Sequence, residues 1–232
     1  MIMRNIFIAC DTNSTQIVKK IIKQSQIKLK GYRIGYKFGL EFFYSKNGRN
    51  FIEKLKVNNL WLDIKAFDIP NTSSAAIKSL KDLKNVSYIT VHVSGGLEML
   101  KAIKKTAKKY NKHLKILGVT ILTSFSNSSI KKVGHTKSII ELVKKQALLA
   151  KVARLDGVVC SAHEIQHIKK ICKNMEIMTP GIRLKGEKSN DQRRVMSPKE
   201  AFENGATSIV MGRSIIKGNI KNNIQRLIKS LN

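Results

Sequence analysis

Short apolar runs and amphipathic stretches alternate along the whole chain. The runs are Asn5–Cys10, Ile34–Phe38, Leu60–Ile64, Ser87–Val93, Leu114–Ile121, Asp156–Cys160, Glu176–Met178 and Ser208–Met211. Most are continuously apolar, as strands covered on both faces should be. The stretches between them repeat near the helical period. Leu100, Ile103, Ala107 and Tyr110 share one face with lysines opposite, and Ile216, Ile220, Ile224, Leu227 and Leu231 do the same near the C-terminus. Strict alternation of strand and helix predicts a parallel sheet. Eight such units in 232 residues predict a closed α/β structure, a (β/α)8 TIM barrel forming a single domain over residues 1–232. The least regular stretch, Thr179–Arg194 with Pro180, Gly181 and Gly186, follows the seventh strand, where a barrel carries an active-site lid.

A barrel places its reactive side chains at the C-terminal ends of its strands. The polar residues that interrupt or end the apolar runs are Asp11, Lys37, Asp63, Lys65, Asp68, His92, Thr123, Arg183 and Arg213. Residues two apart on a strand share a face, so Asp63 and Lys65 project together. Lys37 can complete an array of alternating sign with Asp63, Lys65 and Asp68. Burying any one of these charges alone is unfavourable, so they must be mutual partners. Adjacent carboxylates favour the protonated lysine, and a cationic acid held against a reacting atom suits protonation of a developing carbanion. The bland alternative is an ion-pair network that only pins the barrel. Gly212-Arg213-Ser214, where the last strand gives way to the last helix, reads as a phosphate site. A helix N-terminus offers free N–H groups, Gly212 permits close approach, and Arg213 adds a bidentate donor. Arg183 and Gln192 in the preceding loop can close over the same group.

Net charge sharpens the substrate class without changing the fold. Lys and Arg total 44 against 15 Asp and Glu, a net +29. The lysines are spread over every predicted helix, with no basic tail and only 6% aromatic residues, so no dedicated nucleic-acid surface is predicted. A positive field still favours a phosphorylated substrate. No apolar run approaches the roughly 20 residues that span a bilayer. Asp11 arrives too early for a secretory signal, so no membrane association and a cytoplasmic location are expected. Cys10, Cys160 and Cys172 lack paired spacing, and Cys10 and Cys160 read as core thiols at strand ends.

The segment Asp63-Ile64-Lys65-Ala66-Phe67-Asp68-Ile69-Pro70-Asn71-Thr72 resembles the orotidine 5′-phosphate decarboxylase signature Asp-x-Lys-x-x-Asp-Ile-Pro-Asn-Thr. Asp11, Tyr36-Lys37-Phe38-Gly39, Thr90-Val91-His92 with Gly95 and Gly96, Val119–Ser124, Thr179–Arg183 with Asp191–Arg194, and Val210–Ile215 resemble further family motifs, in the family's order. The resemblance implies decarboxylation of orotidine 5′-monophosphate to UMP and CO2 in de novo pyrimidine synthesis, without metal or organic cofactor. It implies that Lys65 donates a proton to C6 and that Asp63 faces the substrate carboxylate. Lys37 would bridge the ribose hydroxyls and the aspartates. Asp11 would bind ribose, Thr123 would lie at the pyrimidine-contacting strand end, and Arg183, Gln192, Gly212 and Arg213 would hold phosphate. Asp68 and Thr72 would reach across a homodimer into the partner's site. One departure is visible: the family has an aromatic residue followed by His where this chain has Ala66 and Phe67.

Three other readings compete for these residues. A Mg²⁺-dependent sugar-phosphate decarboxylase or aldolase of the same barrel group shares Asp-x-Lys-x-x-Asp, but Ile69–Thr72 and the Gln192 loop favour the nucleotide. A basic binding protein without catalysis fits the charge but not the barrel motifs. His163-Glu164-Ile165-Gln166-His167 satisfies the zinc-protease pattern His-Glu-x-x-His, yet Ser161 followed by Glu164 reads equally well as a helix capping box. His92, a lone His at a strand end, is expected to be structural.

Overall fold

The computed structural model describes residues 3–184, 186–187 and 196–231. Eight strands follow one another in the chain: β1 Arg4–Ala9, β2 Tyr32–Gly39, β3 Leu60–Ala66, β4 Val86–His92, β5 Lys115–Val119, β6 Gly157–Val159, β7 Glu176–Thr179 and β8 Ser208–Met211. Each pairs in parallel with its sequence neighbours and β8 closes on β1, giving a closed barrel in the order of the chain. Helical segments intervene after every strand. The (β/α)8 expectation holds, with strand ends moved by a residue or two. The fifth strand stops at Val119 rather than Ile121, so Thr120–Thr123 form the loop above it.

Two apolar layers follow from the period-two alternation of the strands. Ile6, Ile8, Phe38, Leu60, Leu62, Ile89 and Val91 point outward into the helices and belong to the larger core. Phe7, Ala9, Trp61, Tyr88, Leu117, Val119, Val159, Met178 and Val210 fill the interior. The lower interior is an aromatic plug. Phe7 meets Trp61 edge-on at 5.3 Å and Tyr88 at 5.5 Å, the geometry that ring quadrupoles prefer. Ala9 follows Phe7 on the same face, and the smaller side chain opens the mouth. The interior thus tapers from bulky at the bottom to roomy at the C-terminal end.

Capping chemistry places the helices. Ser138 and Ser197 each form a reciprocal box with the Glu three residues on, and Glu164 supplies the carboxylate half at Ser161, which satisfies backbone N–H groups that have no intrahelical partner. The Glu164 carboxylate accepts the Ser161 N–H at 2.9 Å. The His-Glu-x-x-His segment is therefore a helix start, split between a 3-10 turn at Ala162–Glu164 and the helix Ile165–Ile171.

Gly35 shows how closely the barrel floor is packed. A Cβ there would lie 2.5 Å from the Asn59 carbonyl oxygen and 2.6 Å from the Phe7 ring. Gly35→Ala is expected to destabilise the fold by about 1–3 kcal/mol through overpacking. Urea denaturation checks this, and an unchanged midpoint would contradict the packing described.

Candidate active site

Four charged side chains of alternating sign meet at the barrel mouth. Lys37 precedes the end of β2 by two residues, between outward-facing Tyr36 and Phe38, so it points inward. Its Nζ lies 3.2 Å from Asp11 Oδ1 and 3.4 Å from Asp63 Oδ2. The other oxygen of Asp63 lies 2.9 Å from Lys65 Nζ. The order is Asp11–Lys37–Asp63–Lys65, and the four formal charges cancel. Exposure falls toward the centre: Asp11 is 57% exposed and Lys65 30%, while Lys37 and Asp63 are 11% and 13%.

Within one chain the aspartate beside Lys37 at the outer end of the array is Asp11, and Asp68 does not join the array of its own chain. Asp68 lies exposed beyond β3, and its carboxylate accepts the N–H of Ile69 at 2.7 Å. Thr72, on the first turn of the helix Pro70–Lys78, is also exposed.

The local fold of β3 aims Lys65. From Leu62 to Ala66 the strand advances four residues while β4 advances two, from Ile89 to Val91. The surplus is absorbed in a bulge, where Lys65 takes a left-handed backbone with φ 49°. Bulges are a common means of re-aiming a side chain beside a site. Thr90, wholly buried on β4, accepts the Lys65 N–H at 3.0 Å and donates to Asp63 Oδ1 at 2.9 Å.

Electrostatics follow burial and pairing. Burial alone would push the Lys37 ammonium down, but the carboxylates of Asp63 and Asp11 outweigh it and hold its pKa above the ordinary lysine value. Burial would likewise raise Asp63. Lys37 and Lys65, with hydrogen bonds from Lys65 and Thr90, hold it below the ordinary carboxylate value instead. His92 is pushed down by burial and by the nearby Lys65 ammonium, against the opposing pull of Asp63. Its ring meets Phe67 at 5.9 Å, edge to face, so Phe67 packs on the fourth-strand His. Burial pushes the Cys10 thiol up to about 12, which keeps it protonated and inert.

A cavity of about 270 Å³ opens above the array. Asp11, Lys37, Asp63 and Lys65 line one side, and Trp61 forms part of the floor. Thr123, Arg183, Gly212 and Arg213 line it as well, with apolar Val119, Ile121, Leu122, Val159 and Val210 between. Eight residues singled out in the sequence therefore converge. Arg183 is largely buried and donates to the Ile182 carbonyl at 3.0 Å. Gln192 lies outside the described residues. Sequence reasoning gave no role to Trp61 or Cys160, which also line the cavity, nor to Thr90 below it. Inward alternation along β3 and β4 is the signal that finds Trp61 and Thr90. Among the described residues, no three His, Cys, Asp or Glu side chains gather as a metal-binding group.

The model of the Orotidine 5′-phosphate decarboxylase / HUMPS family matches residues 4–224. The chain belongs to that family. Among its decarboxylase-named relatives, that of Psychromonas ingrahamii is 39% identical over 231 residues, 98% of this chain and 95% of its own. That of Carboxydothermus hydrogenoformans is 41% identical over 218 residues, covering 91% and 88%. The crystal structure of orotidine 5′-phosphate decarboxylase from Lactobacillus acidophilus superposes with a TM-score of 0.82 at 30% identity, over 99% of each chain. The names of these relatives do not favour the Mg²⁺-dependent sugar-phosphate reading. Family membership and the charged cavity thus converge on the C-terminal mouth of the barrel, where barrel enzymes carry their chemistry.

The lowered pKa of Asp63 has a sign. The unfolded carboxyl titrates near about 3.9 and the folded one below it, so ionised Asp63 stabilises the fold above about pH 4 and that contribution is lost as pH falls through the folded value. Urea midpoints measured from pH 5 downward are expected to fall less steeply in Asp63→Asn than in the parent. Parallel curves would show that the carboxylate is not held by its lysines.

Proposed function

We propose that this protein decarboxylates orotidine 5′-monophosphate to UMP and CO2, with Lys65 as proton donor. The observation that carries the reading is the Lys65 ammonium, 2.9 Å from Asp63, in the same cavity as Arg183, Gly212 and Arg213. A nucleotide laid across this cavity places phosphate at the two arginines and its base above Asp63 and Lys65. Asp11 and Lys37 lie where ribose hydroxyls would sit, and apolar side chains with Thr123 flank the pyrimidine.

The chemistry follows from the charges. The substrate carboxylate faces ionised Asp63 and leaves as CO2, and the electron pair of the broken bond stays on C6. The Lys65 ammonium stabilises that charge and transfers its proton to C6; solvent then reprotonates the amine. An ammonium fixed where charge develops favours the transition state over the ground state. The protein's net +29 raises the local concentration of an anionic substrate. De novo pyrimidine synthesis in the cytoplasm is the setting this reaction implies, with residues 1–232 as one catalytic domain.

The protein is read as a homodimer. Asp68 and Thr72 lie exposed outside their own cavity, beside Phe67 and Ile69, which are 62% and 66% exposed. A twofold partner seated on this rim would cover the two apolar side chains and bring Asp68 and Thr72 to its own site.

Loss of the substrate's ultraviolet band on incubation with purified protein tests the activity. Lys65→Ala is expected to lower kcat by at least about 10²–10⁴-fold, the range for a positioned general acid. Absence of turnover in the parent, or parental turnover in the variant, would overturn the reading.

Subunit mixing tests the shared site. Lys65→Ala and Asp68→Ala are each expected to be nearly inactive alone. Mixed and re-equilibrated, they should regain activity, because one site of each heterodimer would hold neither substitution. No regain, with exchange verified by a tag, would place Asp68 in its own subunit's chemistry or in none.

A further inference from the structure

In the bulge that aims Lys65, the backbone N–H of that residue is held by a side-chain hydroxyl. A left-handed backbone on a side chain other than glycine costs about 1–2 kcal/mol, and contacts must maintain it. The register shift removes the Lys65 N–H from regular pairing with β4, and Thr90 Oγ1 takes it at 3.0 Å. That choice fixes the direction of the second bond. An amide N–H can only donate, so the Thr90 oxygen accepts there. Its own hydrogen is left for Asp63 Oδ1, at 2.9 Å, which as an ionised oxygen can only accept. The same Asp63 oxygen receives Lys65 Nζ. Backbone and ammonium of one residue are thus tied to one carboxylate oxygen, the backbone through Thr90.

We infer that Thr90 is a positioning residue of the active site, whose hydroxyl locks the Lys65 bulge and the Asp63 carboxylate into one pair and so sets where the ammonium meets the reacting carbon. The inference rests on Lys65 being the proton donor. Thr90 is not among the residues lining the cavity, so it acts through its two partners. Thr207, just before β8, makes a useful contrast. Its Oγ1 accepts the Ile177 N–H at 2.9 Å and donates to the Ile177 carbonyl at 3.2 Å, so both its partners are backbone.

Thr90→Val keeps the shape of the side chain and removes the hydroxyl; Thr90→Ser keeps the hydroxyl; Thr207→Val is the structural control. In Thr90→Val, kcat is expected to fall about 10- to 100-fold, the equivalent of one charge-assisted hydrogen bond, with KM within about threefold. Asp63 loses a donor to its charged form, so its carboxyl titration, followed by 13C NMR, should move to higher pH. Thr90→Ser should restore both readouts, and Thr207→Val should change thermal stability alone. Parental kcat in Thr90→Val, failure of Thr90→Ser to rescue, or an equal loss in Thr207→Val would overturn the inference. If Thr90→Val does not fold, the comparison of Thr90→Ser with Thr90→Ala carries the same outcomes. An inactive parent would sink the decarboxylase reading instead. The hydroxyl's hold on the pair would then be decided by the Asp63 titration, unmoved if the inference is wrong.

Discussion

Asp63 sits between two ammonium groups, and the mouth of the barrel is organised around that fact. A carboxylate so little exposed is unfavourable by several kcal/mol unless it is paired, and each of its oxygens has a lysine. Lys37 has the same need and meets it with Asp11 and Asp63. Removing any inner member strands the others. The array therefore keeps its charges in fixed places before a substrate arrives, and a polar site that does not reorganise during reaction is an effective source of transition-state stabilisation.

The scaffold serves this constraint from below and from the side. The aromatic plug of Phe7, Trp61 and Tyr88 closes the lower barrel, so the cavity begins at Trp61, one inward position below Asp63 on β3. Val119, Val159 and Val210 of β5, β6 and β8 give the cavity an apolar wall, and low local polarity strengthens each charge interaction within it. Arg183 and Arg213 stand on the β7 and β8 side of the cavity and the Asp–Lys array on the β1 to β3 side, and on the proposed reading this separation orients an elongated anion.

Most of this was legible in the chain, because it is written in local periodicity. Alternation of strand and helix predicted the barrel, the polar residues at strand ends predicted seven of the cavity's lining positions, and the Gly-Arg-Ser turn after the last strand added Gly212. The chain turns outward after Ala66 and carries Asp68 to the exposed rim, while Asp11, two residues past β1, meets Lys37 from within the chain. That closure comes from β1 pairing with β2, contacts between residues 26 apart and more, which no local pattern encodes. The bulge at Lys65 escaped for a similar reason. It is a mismatch between β3 and β4, invisible in either strand alone. Thr90 belongs to the Thr-Val-His motif in the sequence, yet its hydroxyl acquires meaning only once the bulge brings the Lys65 amide to it. In the His-Glu-x-x-His pattern, Glu164 is engaged by the helix start, where it accepts the Ser161 N–H.

The placement of the Lys65 ammonium relative to a bound nucleotide is the claim on which the account turns. A crystal structure with UMP or a tight 6-substituted analogue measures it directly. The account predicts Lys65 Nζ within hydrogen-bonding distance of the C6 position or its substituent, with phosphate at Arg213. A nucleotide whose C6 lies away from Lys65, or whose phosphate lies outside the Arg183–Arg213 side of the cavity, would contradict it.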